Sequence, residues 1–436
     1  MKKIKIGILG LGTVGCGTAA VLQRNADEIS RRCGKQIEVC IASVRELDQR
    51  RSCDTSTFVL TDDPFAVVNH PDVDIVVELM GGETIAKELV LAAIEQNKHV
   101  VTANKALIAL HGNEIFSAAQ ANGVAVLFEA AVAGGIDIIR SVREGLAANR
   151  IELIAGIING TSNFILTQMR DKGRSFSDVL IEAQELGYAE ADPTFDVEGV
   201  DAAHKLTILA AVAFGTPLQF DKIVIEGISK LELVDINYAR EMGYRIKHLG
   251  IAKRVGDELE LRVHPALIPK KRLIAHVEGV MNAVLVRGDA VGSTLHYGAG
   301  AGAEPTASSV IADIVDLARS IDGDIRSRVP YLGFQSEKIN GIKIKSAEGI
   351  RSAYYLRINV NDVSGVMSQL STVFADLNIS IEAITQKEPA KGDDQVAVIF
   401  ITQRTIEALI NIAIARIEAM PDVLRSVTRI RVEHLS

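Results

Sequence analysis

An α/β fold in several domains is the prediction for this chain, and three observations carry it. Over residues 1–130, short apolar runs alternate with segments whose apolar residues recur at helical spacing, the rhythm of a doubly wound parallel sheet. Residues 131–320 change to a less regular mixture of strands and helices, an α+β pattern. Residues 351–436 spell out one βαββαβ succession, a split ferredoxin-like arrangement. A length of 436 residues suits this division, since a domain commonly takes about 150.

In the first unit, strands are expected at 3–9, 37–43, 73–79, 99–103 and 124–128, with Ile85, Leu89, Val90 and Ala93 forming one of the helical stripes between them. The middle unit is expected to hold a strand at 151–158, a helical stretch over 161–213, and strands at 222–227, 258–264, 283–287 and 293–297. The glycine-rich "YGAGAGAEPTASSV" (297–310) leads into a helix whose first turn suits Pro305. Residues 321–350 read as a closing segment, its Gly- and Lys-rich part (338–349) as a linker. The last unit is read as strands 354–360, 379–385, 396–402 and 424–433, helices 365–377 and 404–418, and a polar loop "QKEPAKGDDQ" (386–395).

Composition narrows the function. A net charge of -8 provides no field for a polyanion, so nucleic acid is excluded as a partner. The four cysteines all lie in the first 53 residues and form no CxxC pair, which argues against a zinc site or a disulfide framework and for a reducing cytoplasm. No run of about 18 apolar residues could span a membrane.

The turn "LGLGTVG" carries Gly10, Gly12 and Gly15 in GxGxxG spacing, behind a strand and ahead of a helix expected over Val14–Arg24. The first glycine permits the turn, the second lets a pyrophosphate approach the backbone, and the third lets strand and helix pack closely. A glycine turn without a ligand is the bland alternative. After the second strand comes "SVRELDQRR", where Arg45, with Arg50 and Arg51, favours a ribose 2′-phosphate and hence NADP over NAD.

Lys105, in "VTANKALIA", stands at the strand-end edge where doubly wound sheets bind ligands, able to bring positive charge to a developing alkoxide. Asp201 and Lys205 are four residues apart on a mostly apolar helix, so they share a face and are expected to be partly enclosed. Glu190, Asp192, Asp196 and Glu198 precede them; a divalent metal or a cationic amino group would suit these carboxylates.

Taken together and in this order, "GILGLGTVG", "TANKALIA", "EAAVAGGI", "NGTSNFIL", "GYAEADPTFDVEGVDAAHKL" and "GAGAGAEPTASSV" resemble homoserine dehydrogenase over residues 1–330. "LRINVNDVSGVMSQLSTVFADLNISI" is similar to an ACT domain. The resemblance implies a Rossmann-type cofactor domain (1–130), a substrate-binding and dimerisation domain (131–320), a closing segment and linker (321–350) and a regulatory ACT domain (351–436). It implies interconversion of L-aspartate 4-semialdehyde and L-homoserine, with NADP or NAD, in threonine, methionine and isoleucine biosynthesis.

By the same resemblance Lys205 is the proton donor, Lys105 lies beside cofactor and substrate, and Glu190, Asp196 and Asp201 line the substrate pocket. The two lysines are expected to depress each other's pKa. The cofactor set is Gly10, Gly12, Thr13, Val14, Gly15, Arg45, Lys105 and Gly302, the last closing against the nicotinamide. Glu129, Val132, Gly134 and Ile136 correspond to a loop whose backbone carbonyls hold sodium or another monovalent cation, with Asp137 standing where the family pattern has proline. Asn361, Asp362 and Gly365 are the candidate effector residues, for threonine, with Ser364 a plain helix cap in the bland alternative. A homodimer or homotetramer is implied. Still open are another amino acid dehydrogenase of this build and a non-catalytic sensor, which would need no proton donor.

Overall fold

Six parallel strands open the chain in the spatial order β3-β2-β1-β4-β5-β6: β1 (Lys3–Leu9), β2 (Gln36–Ser43), β3 (Val59–Thr61), β4 (Ile75–Glu78), β5 (His99–Thr102) and β6 (Val126–Leu127). The structure is a computed structural model describing residues 3–323, 328–387 and 395–435; of the expected polar loop 386–395, residues 388–394 lie outside it. Strand interiors here are Ile- and Val-rich because helices cover both faces. These helices are α1 (Thr13–Arg24), α2 (Ala26–Cys33), α3 (Pro64–Val68), α4 (Thr84–Glu95) and α5 (Lys105–Ala121). Strand order reverses between β1 and β4, which opens a crevice beyond their C-terminal ends. β3 was not expected from sequence; three residues are too few to show a period.

The middle region runs α6 (Ile138–Arg140), β7 (Ile151–Ile157), α7 (Gly160–Lys172), α8 (Phe176–Glu185), α9 (Thr194–Val197), α10 (Val200–Phe214), β8 (Val224–Ile225), α11 (Leu233–Glu241), β9 (Tyr244–Val255), β10 (Glu258–Pro269), β11 (Met281–Gly288), β12 (Gly292–Ala299) and α12 (Ala303–Ser320). The helical stretch expected over 161–213 is thus four helices, interrupted where Gly173 and Gly199 adopt left-handed φ of 63° and 87°. β9 was missed because Lys247, His248 and Gly250 break its apolar run. In the structure those polar groups are buried, and Lys247 donates to Asn163 Oδ1 at 3.0 Å.

Helix α12 returns to the first sheet, where Val310, Ile314 and Leu317 join the core around Ile6, Ile8 and Cys16. Each such fully buried aliphatic side chain contributes about 1.5–3 kcal/mol. Gly17 makes the approach possible: a Cβ there would stand 2.6 Å from the Ala303 carbonyl oxygen. Arg24 and Glu304 pair across the same contact.

The final region comprises β13 (Lys343–Ile344), β14 (Arg351–Asn361), α13 (Val366–Asp376), β15 (Ile381–Gln386), β16 (Gln395–Thr402), β17 (Thr405–Ile406), α14 (Glu407–Glu418) and β18 (Thr428–Val432). Its order β18-β14-β16-β15 is the ferredoxin-like one. The expected linker is not a free tether, because β13 pairs with β10. Nor is the last unit detached: β18 lies parallel to β10, so the two regions share one 12-stranded sheet. Charges seal the join. Arg431, buried, donates to both Glu226 and Glu407, and Arg357 to Asp235 and Glu232.

Candidate active site

At the crevice, Gly10 adopts φ 94°, and a Cβ on Gly15 would fall 2.0 Å from the Gly10 carbonyl oxygen, so both positions require glycine. A Cβ on Gly12 would meet nothing within 4 Å; its backbone faces open space. Gly12 is the N-cap of α1 and offers no side-chain acceptor, leaving the first N–H groups, those of Thr13 and Val14 among them, without a side-chain cap. An uncapped helix start beside open space is suited to an anion, so these residues fit a dinucleotide pyrophosphate.

Two adjoining cavities continue from there. One, about 360 Å³, is lined by Val14, Met80, Gly81, Asn104, Lys105 and Phe195. The other, about 490 Å³, shares Met80–Gly82 and reaches Arg45, with Glu83 and Glu88 also on its wall. The shared floor is shaped by Glu78, which ends β4 and accepts from Met80 N at 2.9 Å and from Thr102 Oγ1 at 2.6 Å. Sequence reading passed over Glu78, although a carboxylate closing an apolar run is a usable signal.

Asn104 is the N-cap of α5: its Oδ1 accepts from Leu107 N, and its Nδ2 donates to Gly82 O. That cap sets Lys105 at the first helical position, with Nζ 3.0 Å from Asp201 Oδ1 and 5.7 Å from the Phe195 ring centre. Lys205, one turn after Asp201 on α10, donates to Asp201 Oδ2 at 2.7 Å and to the Ile158 carbonyl at 2.8 Å. Asn159, N-cap of α7, donates to Asp196 Oδ1 at 2.7 Å and Asp201 Oδ2 at 2.8 Å. The hub is therefore one buried carboxylate shared by two ammonium groups and an amide.

Burial opposes ionisation of Asp201, but the charges of Lys205 and Lys105 outweigh it and hold the carboxyl well below its usual range. Burial pulls the Lys205 ammonium down, with Asp201 opposing and Lys105 assisting. Lys105 goes the other way: burial lowers it, yet Asp201, Asp196 and Glu190 together raise it. Mutual depression of both lysines, expected from sequence, is thus corrected, because the carboxylates surround Lys105. Asp196 is pushed up by burial and by Asp201.

Glu190 is exposed on the loop before α9, its charge reaching Lys105. Among the described residues no group of three His, Cys, Asp or Glu could hold a metal ion, and Asp192 instead caps the turn at Thr194. Sequence reasoning also missed Asn159, which an "NG" ahead of a helical run could have flagged as an N-cap, and His204, whose Nδ1 is buried without a partner beside Phe195 and Phe220.

Further out, Ala133 and Gly134 take successive left-handed φ of 55° and 45°, and Ser309 Oγ donates to Gly134 O at 2.7 Å. The carboxylate of Glu129 caps the next helix, accepting from Ile139 N and Arg140 N at 2.8 Å each. Of the carbonyl oxygens on this loop, those of Glu129 and Ile136 accept from Val132 N and Ile138 N. Gly302, φ 124°, is the N-cap of α12, directly before the Ala303 that packs on Gly17 of α1. In the last unit, Asn361 Nδ2 donates to Asp422 Oδ1 at 3.3 Å, and Asp362 is exposed. The cap of α13 is Gly365, not Ser364, and supplies no side-chain acceptor.

An anion-ready helix start and, behind the Lys105 wall of the crevice, a buried ammonium clamped by Asp201 are the parts of an NAD(P)-dependent oxidoreductase. Family models described as "Homoserine dehydrogenase, NAD binding domain", "Homoserine dehydrogenase" and "ACT domain" match residues 10–129, 138–315 and 354–422. The chain belongs to the homoserine dehydrogenase family. A homoserine dehydrogenase of Pseudomonas aeruginosa is 61% identical over 436 residues, covering 100% of both chains. A crystal structure of a homoserine dehydrogenase from Thiobacillus denitrificans superposes with a TM-score of 0.95 at 58% identity, covering 100% of this chain and 99% of that one. A hyperthermophilic archaeal homoserine dehydrogenase in complex with NADPH aligns at TM-score 0.62 and 26% identity over 74% of this chain and all of that one.

Proposed function

We propose that the protein reduces L-aspartate 4-semialdehyde to L-homoserine reversibly, with NADPH preferred to NADH, in the route to threonine, methionine and isoleucine. The observation that carries the reading is the buried Lys205 ammonium, held between the Ile158 carbonyl and Asp201, whose other oxygen takes the crevice residue Lys105. Gly10, Gly12, Thr13, Val14 and Gly15 would hold the dinucleotide, which when bound would supply a hydride for the aldehyde carbon. Lys205 Nζ gives its proton to the carbonyl oxygen as negative charge builds there, and takes it back in the oxidative direction. Asp201 keeps that ammonium aimed, and Lys105 adds positive charge beside the same oxygen. Glu190, Asp196 and Asp201 receive the substrate's own ammonium group.

Arg45 supports the NADP preference, since a guanidinium on that cavity wall suits a 2′-phosphate. Gly302 closes the crevice, and the carbonyls of Glu129, Val132, Gly134 and Ile136 would hold a sodium or other monovalent cation, steadying that loop against residues 299–302. L-Threonine acts through the ACT domain at Asn361, Asp362 and Gly365, where the α13 helix start lacks a side-chain cap. The enzyme works as a homodimer or homotetramer in the cytoplasm; among the described residues no helix is long and apolar enough to cross a membrane.

Initial rates with aspartate semialdehyde and NADPH or NADH, with and without threonine, test the reading. Turnover favouring NADPH, inhibited by threonine in the full chain, is expected. Tight dinucleotide binding without turnover of this substrate would reject it.

A further inference from the structure

On the face of the 12-stranded sheet turned away from α10, a cavity of about 190 Å³ lies where the middle region meets the ACT domain. Lys253 and Arg287 come to it from β9 and β11, Arg351 and Ser352 from β14, and Arg404 from the turn before β17. Ala252 packs toward α10 in the main core, so by strand alternation Lys253 points to the opposite face.

The charges here do not balance. Arg287 is matched by Glu152, and Arg262 is shared by Glu260 and Glu433, the latter itself on the cavity wall beside His434. Among the described residues Lys253, Arg351 and Arg404 have no carboxylate within ion-pair distance. Five cations therefore stand against three carboxylates, an excess of two positive charges. Arg404 Nη2 donates to the Arg351 carbonyl at 3.3 Å, which draws the two arginines together at the rim. Lys253, partly buried, is pulled toward its neutral form by burial; Arg404 and Arg262 act in the same direction against Glu260 and Glu433.

We propose that this cavity binds a small doubly charged oxyanion, a phosphate or a dicarboxylate, with Arg351 and Arg404 as guanidinium donors at the rim and Lys253 on the wall. Guanidinium forks match both oxyanions bidentately, and the ammonium adds a point charge. Since the donors come from both regions, the ligand would bridge the ACT domain and the middle sheet, and its binding would stabilise their junction. The site is separate from the crevice and from the Asn361–Gly365 turn, and it does not depend on the reaction assigned above.

The test is the melting temperature of the full chain in phosphate, succinate or sodium chloride at matched ionic strength and pH, for the unmodified protein and for a variant carrying Arg351→Gln and Arg404→Gln. Both arginines are exposed, so the variant is expected to fold. A saturable rise of a few degrees over chloride is expected, and its loss in the variant. Phosphate alone raising it identifies a phosphate-bearing ligand, succinate alone a dicarboxylate. No rise over chloride with either anion, or an equal rise in the variant, overturns the proposal.

Discussion

Asp201 and Lys205, one helical turn apart on α10, are joined by a 2.7 Å charge-assisted hydrogen bond, while the other oxygen of the same carboxylate takes Lys105 from the first domain at 3.0 Å. One buried anion thereby positions both ammonium groups and favours their charged forms against burial.

Removing the proton donor should separate chemistry from binding. Lys205→Met is expected to lower kcat by about 10²- to 10⁴-fold, leaving the dissociation constant for NADPH nearly unchanged by fluorescence titration. Unchanged kcat would sink the assignment of Lys205.

Replacing the hub by its isostere tests the electrostatics. In Asp201→Asn the attractive charge on Lys205 is gone, so its pKa, already lowered by burial, falls further. Reduction needs the ammonium form. Its rate is therefore expected to decline at a lower pH than in the unmodified enzyme, while the oxidative direction keeps its activity to lower pH. The variant should also lose about 3–5 kcal/mol of stability, the usual cost of breaking a buried pair from one side. A pH–rate profile that does not move would reject the coupling.

Cofactor choice should depend on Arg45. For Arg45→Ala, the KM for NADPH is expected to rise about tenfold or more, the size of one charge-assisted hydrogen bond, with NADH kinetics unaffected. Equal changes for both cofactors would assign Arg45 a role unrelated to the 2′-phosphate.

A pH effect on stability should come from outside the crevice. Burial, aided by Arg170, pushes the Lys247 ammonium down to about 7, against an unfolded value of 10.5. Between those values the unfolded chain binds the extra proton, so this lysine makes stability rise with pH from about 7 to 10.5, by at most about 1.4 kcal/mol per unit. Lys247→Met should flatten that part of the melting-temperature profile relative to the unmodified protein. An unchanged slope would show that Lys247 titrates normally.

Much of the first sheet was legible because parallel, doubly covered strands leave continuous apolar runs, and because Gly10 and Gly15 occupy positions where a Cβ would strike backbone. The Asp201–Lys205 pair was legible from helical spacing alone. β9 was not, since Lys247 and His248 find their partners across the fold rather than along the chain. The junction was hidden for a similar reason: Arg431 and Glu226 are far apart in sequence, and neither carries a local pattern that names the other.

By itself, then, the sequence determined the elements and motifs set by local rules: strand and helix periods, glycines with no room for a side chain, and residues one helical turn apart. Only the tertiary structure decided that Lys105 shares Asp201 with Lys205, that α12 returns to the first sheet, and that β18 extends the middle sheet through β10. Those relations depend on burial and on charge pairing between distant segments. In water a lone lysine has no preference for one carboxylate over another; inside a desolvated crevice, the carboxylate placed beside it decides its protonation.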